Sequence, residues 1–141
     1  MGECDSKEKL NKVFTGGRDA SSQLFYALSE AIESADSVDI IASFVMESGV
    51  RLLLPCLKSA VDRGARVRII TGRYLGITEP QALYLLRSAF GDKIDLHFYD
   101  SESVSFHPKC YFVTRDGRME AFLGSSNVSR SALSGDRKSV V

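Results

Sequence analysis

One short apolar segment limits the folds open to this chain more than any other feature. In "VDIIASFV", residues 38–45, apolar and β-branched side chains fall on both faces of an extended strand. Such a strand has to be covered on both sides, which is typical of the interior of a parallel sheet. A second strand, "ARVRIITG" at residues 65–72, follows after a helical stretch. We predict that both strands are central and parallel, because parallel neighbours need a long crossover between them.

Helical patterns surround these two strands. Apolar residues recur at three- and four-residue steps from Leu24 to Ile32, and Asp19 is placed to cap that helix. The next helical segment, "GVRLLLPCLKSAVDRG", contains Pro55, which has no amide hydrogen. We expect a kink or a new helix start there, and Gly64 is suited to end the helix.

A third helix is predicted after the second strand. Thr78 and Gln81 have the spacing of a capping box, and Pro80 stands in the first turn, where proline is tolerated. This helix is expected to run to about Phe90. The segment "KIDLHFYD", residues 93–100, then predicts a third strand.

The chain is predicted to close with a β-hairpin. "FHPKCYFVTR" and "RMEAFLG" are two strand-like segments joined by Asp116 and Gly117, a dipeptide typical of tight hairpin turns. Helices alternating with strands, followed by a hairpin, indicate an α/β sandwich with a mixed, mostly parallel sheet and helices on both faces. Residues 1–18 are interpreted as an N-terminal arm and residues 19–141 as a single domain, whose polar ending is also compatible with a piece of a longer protein.

Composition narrows the functional classes. Lysine plus arginine equals aspartate plus glutamate at 18 each, so the net charge of zero argues against a domain that holds nucleic acid by charge alone. The three cysteines are widely spaced and predict neither a zinc site nor a disulfide framework. The sequence shows no secretory signal and no apolar run of membrane-spanning length, so we expect a cytoplasmic protein.

The candidate site rests on two short segments. One of only two histidines, His107, stands two residues before Lys109 in "FHPKCYF". Side chains alternate across a strand, so these two are predicted to point to the same side. The segment "GSSN", Gly124 to Asn127, follows on the next strand. If it stays extended, Ser125 and Asn127 share a side as well.

These residue types suit the handling of phosphate. Histidine can act as nucleophile or proton carrier near neutral pH, and lysine neutralises phosphate charge. Hydroxyl and amide groups donate hydrogen bonds, and glycine lets the backbone approach a ligand. We predict catalytic residues His107, Lys109 and Asn127, and substrate-binding residues Gly124, Ser125, Ser126 and Arg73, with no metal and no cofactor.

Simpler interpretations stay open for each segment. A histidine two residues before a lysine occurs by chance, and "GSSN" alone is typical of a turn that caps a helix. His97 alternates with apolar residues and is interpreted as structural. Arg73 and its neighbours Arg63, Arg66 and Arg68 are compatible either with a phosphate track or with an ordinary solvated surface.

The two segments together resemble the signature of the phospholipase D superfamily. Over residues 20–134 the chain is also similar to the phospholipase D-like domain of some bacterial superfamily II helicases and of certain metal-independent restriction endonucleases. The resemblance implies that His107 attacks phosphorus and forms a phosphohistidine, while Lys109, Ser125 and Asn127 bind phosphate. The family mechanism needs a second histidine, and this chain has one motif copy, so it implies a homodimer with a shared site.

Two departures from the family pattern bear on activity. Thr114 stands where the family usually has an aspartate, and Asp136 is the only acidic residue after Asn127. The first functional hypothesis is a metal-independent nuclease, with DNA favoured over RNA. The second is a non-catalytic module that binds phosphate or nucleic acid within a helicase or restriction system. A lipid phosphodiesterase is the weakest, because no membrane-binding face is evident.

Overall fold

The computed structural model describes residues 24–73, 77–100, 105–124 and 126–134 of the 141-residue chain. The predicted arm, residues 1–18, and the candidate cap Asp19 lie outside this part. The elements follow in the order α1 (Leu24–Glu33), β1 (Ser37–Ala42), α2 (Glu47–Asp62), β2 (Arg66–Gly72), α3 (Pro80–Phe90), a 3₁₀ turn (Gly91–Lys93), β3 (Asp95–Tyr99), β4 (Lys109–Arg115), β5 (Arg118–Leu123) and α4 (Arg130–Ser134).

The five strands form one mixed sheet in the order β3-β2-β1-β4-β5. Strand β1 pairs in parallel with β2, and β2 with β3, whereas β4 runs antiparallel to both β1 and β5. Four strands therefore share one direction. The two strands predicted to be central and parallel occupy the middle of the sheet, which confirms that prediction. The hairpin turn is confirmed as well, because Asp116 and Gly117 have positive φ angles of 49° and 73°.

The described helices form a single layer. Helix α2 contacts α1, α3 and α4. The buried strand residues share one parity, with Val38 and Ile40 on β1 opposite Val67 and Ile69 on β2. Apart from Gly72, the strand residues of the opposite parity, such as Arg68, stay at least partly exposed. The expectation of helices on both faces is therefore wrong for the described residues. Strands β1, β2 and β3 lie side by side in chain order, and successive right-handed crossovers in one direction place their helices on the same face.

The hydrophobic core lies between this helix layer and the sheet. Leu28, Leu53 and Leu57 from the helices are almost fully buried beside Ile40 and Ile69 from the strands. Complete burial of each such side chain contributes roughly 1.5–3 kcal/mol to folding. The sheet is thereby fixed as a rigid support for the loops at its edges.

Helix α2 continues through Pro55, so of the two expected outcomes, a kink or a new helix start, the new helix start is wrong. Pro55 lies on the exposed side of the helix, where water can reach the carbonyl of Arg51 that loses its partner. On the other side, Leu53 and Leu57 are buried and hold the helix to the core. Gly64, with φ of +89°, follows the last helical residues as predicted.

The predicted capping box of α3 is also wrong. The helix starts at Pro80, as expected, but its N-cap is Glu79 and no side chain caps it. The Thr78 hydroxyl instead donates to the carbonyl of Gly72 at 2.7 Å and accepts from the amide of Val45 at 3.3 Å. These partners tie the start of α3 to the ends of β1 and β2.

Candidate active site

The candidate site lies at the edge of the sheet where β1, β2 and β3 end. Because β4 is antiparallel, its first residue, Lys109, pairs with Ala42, the last residue of β1. Leu123, the last residue of β5, pairs with Cys110 on the same edge. His107 precedes β4 and Gly124 follows β5, so the two sequence segments meet here. Ligands bind at the carboxyl edge of many α/β sheets.

His107 and Lys109 contact each other, as their spacing predicted. The Nζ atom of Lys109 contacts Nδ1 of the His107 ring and donates to the His107 carbonyl at 3.2 Å. Lys109 is partly buried and His107 is exposed. The side chain that follows the end of β1, Ser43, is fully buried beneath them. An imidazole, an ammonium and a hydroxyl therefore converge on one small region.

The hydrogen bonds of Ser43 constrain the tautomer of His107. The Ser43 hydroxyl donates to the carbonyl of Pro108 at 3.0 Å, and its Oγ lies 3.3 Å from Nδ1 of His107. Its single hydrogen is directed to Pro108, so towards the ring Oγ can act only as an acceptor. The ammonium of Lys109, in contrast, can only donate to Nδ1. Contact with Ser43 thus favours the tautomer with the proton on Nδ1 and the lone pair on Nε2, whereas contact with Lys109 favours the opposite tautomer.

Asn127 is held in place by the loop between β1 and α2. Its side chain is only 4% exposed, and its Oδ1 accepts a hydrogen bond of 3.2 Å from the amide of Phe44. Next to it, the amide of Met46 donates to the carbonyl of Val128 at 2.8 Å, and Val45 forms a parallel bridge with Val128. The side-chain NH₂ of Asn127 has no acceptor among the described residues and can face the site.

Gly49 explains how closely this segment approaches helix α2. A Cβ atom at Gly49 would lie 2.4 Å from the carbonyl carbon of Val128 and 2.5 Å from the amide nitrogen of Ser129. Only glycine permits this contact between two backbones. The first turn of α2 and residues 127–129 therefore form one rigid unit.

Tyr111 supports the "GSSN" segment from below. Its hydroxyl donates a hydrogen bond of 2.8 Å to the carbonyl of Ser126. The ring is buried on the helix side of β4, and this burial raises the pKa of the phenol above its ordinary value, so Tyr111 stays a neutral donor. Gly124, at the start of the segment, is exposed with φ of +155°, a conformation that side-chain-bearing residues rarely adopt.

The other predicted binding residues differ in position. Arg73 follows β2 at the same edge of the sheet, where its guanidinium lies 3.6 Å from the carboxylate of Asp100. Both side chains are more than half exposed. Arg73 therefore lies at the border of the candidate site, beside Asp100. Ser125 lies outside the described residues.

The departure at Thr114 does not affect the site directly. Thr114 pairs with Ser37, the first residue of β1, at the opposite end of the sheet. At about 3.4 Å per residue, it is roughly 17 Å along the strand from Lys109. An aspartate there would not reach His107. Asp136, the other acidic residue considered from the sequence, lies outside the described residues.

The fold brings two further residues to the site, Ser43 and Tyr111, which were not predicted from the sequence. Ser43 ends the apolar segment of β1, and its position as a polar residue after a buried strand was the available signal. The local sequence pattern predicts only that Tyr111 is an aromatic core residue. Nothing in that pattern indicates that its hydroxyl donates to the carbonyl of Ser126. Asn127 was predicted, but its contact with the Phe44 amide was not.

Within the described residues, no three histidine, cysteine, aspartate or glutamate side chains lie close enough together to hold a metal ion. Over the same part of the chain, every helix is too short or too polar to cross a lipid bilayer.

Comparison with known proteins identifies the family of this chain. The family model described as "Cardiolipin synthase, PLD-like domain" matches residues 28–141. No curated protein sequence matches the chain. Among solved structures, NucT from Helicobacter pylori is 23% identical with a TM-score of 0.54, and the match covers 80% of this chain and 72% of NucT.

A second solved structure shows the same fold. Polyphosphate kinase from Porphyromonas gingivalis is 17% identical with a TM-score of 0.54. The match covers 76% of this chain but only 18% of the kinase. At such identities the likeness concerns the fold.

Proposed function

Since the chain belongs to the PLD-like domain family, we propose that it is a metal-independent phosphodiesterase that cleaves nucleic acid, with DNA favoured over RNA, through a covalent phosphohistidine at His107. The superfamily comprises phosphodiesterases, nucleases and phosphotransferases. The observation that carries the proposal is the convergence of His107, Lys109 and Ser43 at the carboxyl edge of the sheet, beside the fixed side chain of Asn127.

In the first step, Nε2 of His107 attacks phosphorus. The bond from nitrogen to phosphorus forms as the bond from phosphorus to the leaving oxygen breaks, and a protonated histidine gives its proton to that oxygen. In the second step, a water oxygen attacks phosphorus, the second histidine, which is now neutral, takes a proton from that water, and the nitrogen–phosphorus bond breaks. Lys109 and the NH₂ of Asn127 stabilise the charge on the non-bridging oxygens in both steps.

Binding of phosphate also prepares the nucleophile. In the free protein the ammonium of Lys109 contacts Nδ1 of His107. A bound phosphate, with its full negative charge, attracts that ammonium away from the ring. Nδ1 then has Ser43 as its partner, which can only accept, so the proton occupies Nδ1 and the lone pair lies on Nε2.

The second histidine is supplied, in this proposal, by His107 of a second copy of the chain. His107 is exposed at the sheet edge, so another copy can approach it. A closed two-fold dimer would place both rings in one pocket. Two imidazoles at close range resist double protonation, so they share one proton and provide one nucleophile and one acid.

The test is a cleavage assay on labelled oligonucleotides in excess EDTA. The wild-type protein should remain active, and His107→Ala should lose at least roughly a thousandfold in rate, as expected for a nucleophile. His97→Ala is the matched control, because His97 is the other histidine and lies exposed on β3. Equal activity of wild type and His107→Ala would refute the proposal.

A different result would identify the alternative function. If the wild-type protein binds DNA or RNA but cleaves neither between about pH 5 and 9, where histidine catalysis operates, the domain is a non-catalytic binding module of the kind found in helicase or restriction systems. Lys109→Ala should then weaken binding, because it removes a positive charge that holds phosphate.

A further inference from the structure

A pair of stacked aromatic rings borders the candidate site. Tyr99 is the last residue of β3, and Phe106 directly precedes His107 in the chain. Their ring centroids are 5.1 Å apart with an interplanar angle of 30°. Tyr99 remains 40% exposed. The pair therefore presents an open aromatic surface next to the nucleophile.

The backbone beneath holds these rings in a defined position. Tyr99 pairs with Gly72 in the sheet. A Cβ atom at Gly72 would lie 2.7 Å from Cδ1 of Phe106, so the ring of Phe106 rests directly on the bare backbone of β2. A ring seated in this way loses little conformational entropy when a ligand stacks on the pair.

A charged pair continues the same border. Arg73 follows Gly72, and Asp100 follows Tyr99. Their contact of 3.6 Å joins two side chains that are more than half exposed. Such a pair contributes little stability, so the guanidinium is available to an anionic ligand. Along this edge of the sheet a ligand would therefore meet two cations, Lys109 and Arg73, together with an aromatic face.

We propose that the rings of Tyr99 and Phe106 bind an unpaired base and that the substrate of this site is single-stranded nucleic acid. A nucleic-acid strand carries one base for each backbone phosphate, which matches the combination of cations and an aromatic face along this border. In a duplex each base is covered by its neighbours above and below and cannot stack on a protein ring. This inference rests on the proposed function, because it assigns the substrate class of the same site.

Base stacking would supply affinity that the net charge of the chain does not. The net charge is zero, so long-range attraction to the phosphate backbone is weak. Base stacking does not depend on net charge and tolerates every sequence, since each base has a π face. A strand bound in this way would be held by its bases as well as by its phosphates.

The experiment measures binding by fluorescence anisotropy in a His107→Ala background, so that no probe is cleaved. The probes are a labelled oligothymidylate, an abasic strand of the same length, and a duplex. Tyr99→Leu removes the ring, and Tyr84→Leu is the matched control, because Tyr84 is 76% exposed on α3.

Tyr99→Leu should weaken binding of the oligothymidylate by roughly fivefold to a hundredfold, the range for one lost base stack. It should leave binding of the abasic strand unchanged, and Tyr84→Leu should change neither. The parent should prefer the single strand to the duplex. Equal loss on the abasic strand, no loss on oligothymidylate, or tighter binding of the duplex would each overturn the inference.

The two proposals can fail separately. If the wild-type protein cleaves oligonucleotides in EDTA and Tyr99→Leu behaves like Tyr84→Leu, the proposed function stands and the base-binding surface is refuted. If neither these three probes nor an RNA oligonucleotide of the same length binds, nucleic acid is not the substrate and both proposals fall.

Discussion

Ser43 Oγ lies 3.3 Å from Nδ1 of His107 while its hydroxyl donates to the carbonyl of Pro108 at 3.0 Å. These two residues are 64 positions apart in the chain and meet because β1 and β4 are neighbours. Ser43 is fully buried, so in the proposed mechanism it would act through His107 and not through the substrate. Once bound phosphate has drawn Lys109 away from the ring, the Ser43 hydroxyl would hold the proton on Nδ1.

Replacing Ser43 should therefore reduce turnover more than binding. Ser43→Ala removes the acceptor for Nδ1–H, and one lost hydrogen bond of about 1 kcal/mol lowers kcat roughly fivefold to tenfold. KM should stay close to the wild-type value, and the pH profile of kcat should shift. Ser43→Thr keeps the hydroxyl and should recover most of the rate; a Thr variant as slow as the Ala variant would contradict the role of the hydroxyl.

Asn127 should contribute to stability as well as to phosphate binding. Asn127→Ala removes the acceptor of the Phe44 amide in a buried region, which should lower the free energy of unfolding by about 1–3 kcal/mol. Urea denaturation measures this change. Ser126→Ala is the neighbouring control, because Tyr111 binds only the backbone carbonyl of Ser126; it should stay within about 0.5 kcal/mol of wild type. Similar losses in both variants would show that the amide contact is not the cause.

Activity should depend on two intact copies of the chain. When wild-type and His107→Ala proteins are unfolded together and refolded in equal amounts, mixed dimers form at random. If both histidines are needed, the activity per wild-type chain should fall to roughly half. Unchanged activity per wild-type chain after mixing would mean that each chain works alone. Light scattering on the same samples reports the mass of the assembly.

The stability of the fold should decline at alkaline pH, partly through Cys56. Burial in α2 raises the pKa of its thiol to about 11, from 9.0, with a further contribution from the nearby Glu33. The folded protein then holds this proton where the unfolded chain releases it, so the stabilisation is complete below about pH 9 and is lost as pH rises towards 11. The loss from this group is on the order of 2 kcal/mol.

Thermal unfolding of wild type and Cys56→Ala at neutral and alkaline pH measures this contribution. The substitution also removes core volume, but that effect is the same at both pH values. Cys56→Ala should therefore be less stable than wild type near pH 7 and show a smaller further decrease on going to alkaline pH. An equal decrease in both proteins would exclude Cys56 as a source of the pH dependence.

The sequence by itself determined the strands and one pair in the site. The apolar β-branched segments gave β1 and β2 their buried positions in the sheet, because only a covered strand tolerates such residues. The alternation of side chains placed His107 and Lys109 on the same side, which the contact between them confirms. The hairpin turn at Asp116 and Gly117 could also be predicted from the sequence, because its positive φ angles favour these residue types.

The tertiary structure decided what depends on distant neighbours. The order of β1, β2 and β3 in the sheet placed the described helices on one face. Strand order cannot be predicted from a local sequence pattern. The apolar side of α2 kept the helix intact through Pro55, because packing outweighed the loss of one exposed hydrogen bond. The Thr78 hydroxyl does not cap α3 but forms hydrogen bonds with the backbone of Gly72 and Val45.

The same difference between local patterns and distant contacts applies within the candidate site. His107 and Lys109 are two residues apart, so their relationship follows from strand geometry alone. Ser43 with His107, Phe44 with Asn127, and Tyr111 with Ser126 are 64, 83 and 15 residues apart, and each contact exists only once β1, β4 and β5 are paired. Sequence periodicity fixes the direction of a side chain within its own element, whereas hydrogen-bond partners across elements are fixed by the packing of the whole sheet.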